Sequence, residues 1–303
     1  MKSFKTPLAF KASLEQRLRA RSKETGSDLH RLRQLVIYER FLARIFRIFG
    51  DDAVLKGGVV LELRLESARA TKDIDLNLKG HPESILVRLQ EAGRLDLSDF
   101  LSFEITLDAK SPDIQAEGLR YGGIRFKSQA YLAGKVYGSR YGVDVALADF
   151  NSRAETLESL SFLEFAGVES SVFQLYPVEL HLAEKFHAYT LPRPRPNSRV
   201  KDLPDIALLA TLRELDLEKV RAAIRMTFEQ RQTHSIPDVF AVPPDFWEAP
   251  YGRLASSNRL PWKNLEDVWK AAKIFLEPAL GDDEGSWNPD EWAWQIAGQT
   301  GPP

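Results

Sequence analysis

The stretch from Leu55 to Leu78, LKGGVVLELRLESARATKDIDLNL, constrains this chain more than any other. Its last six residues, DIDLNL, alternate polar and apolar, which predicts a half-buried strand over 73–78. Asp73 and Asp75 then share one face, while Ile74, Leu76 and Leu78 share the other. Two carboxylates side by side repel each other unless a proton or a cation lies between them. Hard oxygen donors at this spacing suit Mg²⁺ or Mn²⁺, and such carboxylates bridge ions ~3.5–4 Å apart in phosphoryl transfer. Upstream, Gly57 and Gly58 separate a short apolar segment from the amphipathic helix VVLELRL. Glycines at a strand-to-helix junction let backbone N–H groups approach a triphosphate. Alone, the aspartates read first as an exposed strand face and the glycines as a turn. In this order the pieces are much more specific.

Composition narrows the function classes. Lys and Arg number 41 and Asp and Glu 43, a formal net charge of -2, which excludes a uniformly basic nucleic-acid binder. The sum hides an uneven distribution. Residues 1–50 hold 12 basic against 4 acidic side chains, and residues 271–303 hold one against 6. With no cysteine, thiolate metal sites, disulfides and a cysteine nucleophile are excluded. Neither a secretory leader nor a membrane-length apolar run is visible, so the expected location is the cytoplasm, with no membrane partner.

The pattern along the chain predicts an α+β protein. Two helices fill the first fifty residues, the second capped by Asp28 and ended by Gly50. A helix from His81 is expected to stop at Gly93, and strands are expected over 101–108, 121–133 and 141–149, paired antiparallel. From about residue 175 helices dominate: VELHLAEKFHAYTL, KDLPDIALLATLREL, LEKVRAAIRMTFEQRQ and one near 264–276. The expected domains are therefore 1–174, an α/β unit with N-terminal helices, and 175–303, a mainly α-helical unit ending in a Trp-rich tail. That tail has two readings, packed core or partner docking.

Further candidates follow from position. Asp144, in GVDVALAD, lies opposite the apolar face of Val143, Val145 and Leu147 and is the best third carboxylate, ahead of Asp149. Lys185 borders the apolar stripe of Leu182, Phe186 and Tyr189, so it either snorkels to solvent or enters a cleft as a phosphate-binding charge. Asp202 reads as the N-cap of the next helix, a position compatible with facing a cleft. Around it, Arg193, Arg195, Arg199 and Lys201 form a Pro-stiffened basic segment, either a solvated loop or an RNA phosphate contact. His181 and His187 fall on different helix faces and read as structural.

Taken together, LKGGVVLELRL, RATKDIDL, VDVALAD and AEKFHAYTL with SRVKDLPDIALL resemble the AbiEii-type nucleotidyltransferase toxins, the toxin half of type IV toxin–antitoxin systems, over residues 54–210. The resemblance implies a polymerase-β-like nucleotidyltransferase core with a mixed or antiparallel sheet. It assigns Asp73 and Asp75 to metal binding, with Asp144 as the second-motif carboxylate, and Gly57, Gly58, Arg69 and Thr71 to the nucleotide site. It further assigns Lys185 to a phosphate, Asp202 to the role of base and Asp205 to an acidic position of unspecified role. The implied activity is Mg²⁺-dependent transfer of NMP from an NTP to an acceptor, the 3′ end of tRNA, with a neutralising antitoxin encoded nearby. A catalytically silent nucleotide- or RNA-binding module, or transfer to a protein or small molecule, is the alternative. One departure is Val59, where members of that family often carry Ser or Thr after the glycine pair. It removes a phosphate-directed hydrogen bond worth ~0.5–1.5 kcal/mol.

Overall fold

A computed structural model describes residues 4–65, 70–110, 113–114, 123–147, 152–193 and 199–296. The chain divides into two compact units. The first runs to Leu63 and from Ala70 to Tyr176, and the second takes up the chain from Pro177, together with Arg64. The expected boundary at 174/175 falls two residues earlier.

The first unit contains α1 (Pro7–Thr25), α2 (Leu29–Phe49), β1 (Ala53–Lys56), α3 (Gly57–Arg64), β2 (Asp73–Leu78), α4 (Pro82–Arg94), β3 (Leu101–Leu107), β4 (Asp113–Ile114), β5 (Gly123–Leu132), β6 (Lys135–Val136), β7 (Tyr141–Ala146), β8 (Glu155–Glu158) and β9 (Val172–Leu175). Asp28 caps α2 by accepting from Arg31 N–H at 2.8 Å, as its position predicts. Seven strands form the path β3-β5-β7-β2-β1-β9-β8, with β4 and β6 paired to β5. Most pairs are antiparallel, yet β2 with β7 and β1 with β9 run parallel, so the sheet is mixed.

One sheet face is apolar and carries the core. Leu55, Ile74, Leu76, Val143, Val145, Phe126 and Phe173 are all buried there. Against it lies α2, whose Phe41 ring sits 5.5 Å from Phe103 and 5.7 Å from Tyr141. The opposite face carries Asp73, Asp75 and Asp144. That face is covered at Val54 and Asn77 but leaves Asp73 exposed and Asp75 and Asp144 half-buried.

Two features of the helices in this unit depart from the sequence reading. Gly93 does not stop α4, which continues to Arg94. A Cβ at Gly93 would collide with Phe103 O and Ile105 Cδ1, so the glycine lets α4 lie close on β3. And α2 carries buried charge within its apolar run. Arg44 holds Asp99 through two bonds of 2.6 and 2.8 Å, and Arg40 donates to it at 2.7 Å. Burial pushes the Asp99 carboxyl up, but the bonds and charges of these guanidinium groups more than reverse this, leaving it below its ordinary value.

The second unit contains α5 (Val178–Thr190), α6 (Asp202–Ala210), β10 (Leu215–Asp216), α7 (Leu217–Arg231), α8 (Glu248–Asn258), α9 (Leu265–Leu276), β11 (Gly285–Asn288) and β12 (Ala293–Ile296). Helix α6 ends at Ala210 and does not extend to Leu215, which pairs with Trp287 in the small sheet β10-β11-β12. The Trp-rich tail is packed. Trp287 is fully buried and donates to Ala210 O at 2.8 Å, while Trp294 donates to Phe275 O at 2.8 Å. Among the described residues no helix is long and apolar enough to cross a membrane.

Glu39, also on α2, is 1% exposed and its Oε2 has no partner. Burial raises its pKa from 4.5 to about 7, against the pull of the Arg40 charge and the Leu160 and Phe162 backbone bonds. The folded state then holds a proton that the unfolded chain has lost. Its contribution is complete below the unfolded pKa and disappears as pH rises through the folded one. A shift of this size corresponds to about 3 kcal/mol. Urea unfolding between pH 5 and 8 is expected to show the wild type losing stability relative to Glu39→Gln as pH rises. A constant difference across that window would contradict this.

Candidate active site

Strand register builds a charged row on the open sheet face. Asp75 of β2 lies opposite Lys56 of β1 on one side and Asp144 of β7 on the other. Asp144 in turn lies opposite Arg125 of β5. With strands ~4.8 Å apart, the order Lys56, Asp75, Asp144, Arg125 puts the two acids between two cations. Asp73 lies two residues before Asp75 on the same face and pairs with Gly142.

Glycines make room for both carboxylates. Gly57 has φ +67°, and a Cβ there would collide with the Asp75 carboxylate. A Cβ at Gly142 would likewise collide with Asp73 Oδ1. Gly58 is buried, in the first turn of α3. The glycine pair thus opens α3, and its first member also shapes the carboxylate site. The side chain of Val59 lies in the apolar core, fully buried.

The segment before Asp73 is held through its backbone. Thr71 N–H donates to the buried Glu62 carboxylate, and Thr71 C=O accepts from Tyr38 Oη at 3.1 Å. Arg31 lies 3.4 Å from the other Glu62 oxygen. Burial, then the Glu62 charge, raises the Tyr38 pKa, so its hydroxyl stays protonated as a donor. Arg69, expected in the nucleotide site, lies outside the described residues.

Asp144 does not stand ready as a free third ligand. Arg125 Nε and Nη2 hold its two oxygens at 2.7 and 2.6 Å. Hydrogen bonding to Asp144, together with the Asp144, Asp73 and Asp108 charges, outweighs desolvation and raises the Arg125 pKa. Among the described residues no group of three or more His, Asp or Glu side chains converges as a metal cage. Asp73 and Asp75 fit a hard divalent ion by donor chemistry, and the missing Cβ atoms of Gly57 and Gly142 leave their oxygens the space. Arg125 was missed in the sequence because cross-strand register is invisible there. Its only signal was a run of cations, Arg125 and Lys127, at alternating strand positions.

The second unit has its own charged cluster. Lys185 is 12% exposed and donates to Asp205 at 2.7 Å and Asp202 at 3.3 Å, so it is ion-paired and does not snorkel. Asp202 is not an N-cap. That position is Lys201, which is exposed, and Asp202 begins α6 without capping it. Its carboxylate is engaged by Lys185 and by Arg199, at 2.6 and 3.2 Å. Of the expected RNA contacts, Arg193 is half-buried and Arg195 lies outside the described residues. Arg199 is tied to Asp202.

The mixed strand order, the carboxylate row and the glycine-opened helix α3 lie together in the first unit. The family model for "Nucleotidyl transferase AbiEii toxin, Type IV TA system" matches residues 40–297. The chain belongs to the AbiEii nucleotidyltransferase toxin family and is a nucleotidyltransferase. Among solved structures it is similar to MenT4, a nucleotidyltransferase toxin from Mycobacterium tuberculosis, with TM-score 0.60 and 16% identity, over 93% of this chain and 92% of that one. That likeness shows the fold. JHP933 from Helicobacter pylori is more distant, with TM-score 0.48 and 13% identity over 82% of this chain and 92% of that one. No curated protein sequence matches.

Gly57→Ala is expected to cost about 1–2 kcal/mol from its left-handed backbone alone, read by urea unfolding. Displacement of Asp75 should also weaken Mn²⁺ binding by titration calorimetry. Wild-type values for both would show that neither the φ nor the clearance matters.

Proposed function

We propose that this chain transfers a nucleoside monophosphate from an NTP to the 3′ end of an RNA, with tRNA as the acceptor, in a reaction that depends on Mg²⁺ or Mn²⁺. The observation that carries this reading is the alignment of Asp73, Asp75 and Asp144 on one sheet face beside Gly57. In the reaction the acceptor hydroxyl gives up its proton to water, its oxygen bonds to the α-phosphorus, the bond from that phosphorus to the bridging oxygen of the β-phosphate breaks, and pyrophosphate leaves. A divalent ion bound there would supply charge for the triphosphate and make the attacking hydroxyl more acidic. Asp73 and Asp75 would hold that ion, and the start of α3 offers backbone N–H groups to phosphate oxygens. The Thr71 peptide, pinned by Glu62 and Tyr38, fixes the approach to Asp73. Lys185 serves as a phosphate-binding cation held in place by Asp205 and Asp202. With both Asp202 oxygens engaged, its geometry favours positioning Lys185 over acting as base. Arg193, Arg195, Arg199 and Lys201 supply positive charge for an RNA backbone.

Such a transfer blocks the use of the acceptor, which fits a toxin acting in the cytoplasm and restrained by an antitoxin encoded nearby. Labelled NTPs, total RNA and Mg²⁺ test the reading. Label is expected in tRNA-sized RNA, and Asp73→Ala is expected to reduce it by a factor of ~10² or more. Label in protein only would move the acceptor class. No label with any NTP, or an Asp73→Ala variant equal to wild type, would leave a silent binding module.

A further inference from the structure

We infer that Arg125 is an internal counter-ion that reserves Asp144 until a polyphosphate draws the guanidinium away, so that divalent-ion and nucleotide binding are coupled through this one pair. The inference rests on the functional reading above and adds a residue to it. Both Asp144 oxygens sit in the Arg125 fork at 2.6 and 2.7 Å, at the position where register brings Asp144 beside Asp75. A planar guanidinium that binds a carboxylate through two bonds binds phosphate in the same way. The pair is also poised to open. Arg125 is 40% exposed and Asp144 15%, whereas Arg44 and Asp99 in the core are both 0% exposed. The buried pair has no solvent route by which to exchange partners, while the exposed one does. Among the described residues, Asp73 and Asp108 act on Arg125 through charge, and the bonds they could offer are not made to it. Asp108, the next acid along the row, is already held by Lys127 at 2.9 Å.

While the fork is closed, an ion at Asp73 and Asp75 meets two carboxylates and a nearby positive charge. Once the triphosphate takes the guanidinium, the third carboxylate is released and that positive charge now faces phosphate. Each ligand therefore favours the other, as reciprocal linkage requires.

Mn²⁺ binding without turnover tests this, using electron paramagnetic resonance of free Mn²⁺ with and without an α,β-methylene NTP analogue. Arg125→Gln is expected to bind Mn²⁺ alone roughly tenfold more tightly than wild type. Asp144→Asn added to that variant should abolish the gain. The analogue should raise Mn²⁺ affinity more in wild type than in Arg125→Gln. Arg125→Lys, which grips one oxygen only, should fall between wild type and Arg125→Gln. Equal Mn²⁺ affinities for wild type and Arg125→Gln, with circular dichroism showing both folded, would overturn the inference. So would Asp144→Asn weakening Mn²⁺ binding as strongly in wild type as in Arg125→Gln. Mn²⁺ binding that survives Asp73→Asn in every background would instead bring down the functional reading.

Discussion

Asp75 and Asp144 occupy paired positions on adjacent parallel strands, and much of the first unit is arranged around the repulsion between them. Like charges at one strand spacing are unfavourable unless something positive shares the space. The chain supplies Lys56 and Arg125 at the two ends of the row. It keeps Gly57 and Gly142 where any larger residue would push the carboxylates aside. With the apolar core gathered on the opposite face against α2, this face carries the charged row. Site and core are two sides of the same strands, because residues alternate across β2 and β7.

Buried charge elsewhere in the same unit has a different purpose. Arg40, Arg44 and Asp99 tie α2 to the segment before β3 through fully enclosed bonds. Breaking such a network strands a charge in the core at a cost of about 3–5 kcal/mol. At the site the corresponding pair is partly open to water, so its partners can be exchanged at much lower cost. Exposure, more than hydrogen-bond length, separates the two.

The sequence revealed much of this because its strongest signals are periodic or conformational. Alternation in DIDLNL placed Asp73 and Asp75 on one face, Asp28 marked the start of α2, and the glycine pair marked the strand-to-helix junction. Cross-strand partners were not legible. Nothing local connects Arg125 to Asp144, nineteen positions away, or Glu62 to the peptide of Thr71. Gly93 read as a helix stop because a stop and a close approach use the same residue. Asp202 read as a cap because acids favour helix starts, while its ion partners Lys185 and Arg199 claim it instead. The strands of the Trp-rich tail were missed because strands of four residues carry little periodicity.

Replacing a non-bridging α-phosphate oxygen of the NTP by sulfur tests most directly whether the aspartate row works by holding an ion against the reacting phosphate. Sulfur is a poor ligand for Mg²⁺ and a better one for softer ions. The account predicts that transfer from the thio-substituted NTP drops sharply in Mg²⁺ and recovers in Mn²⁺ or Cd²⁺, with recovery lost in Asp75→Asn. Equal rates from both nucleotides in Mg²⁺, for both sulfur stereoisomers, would contradict it.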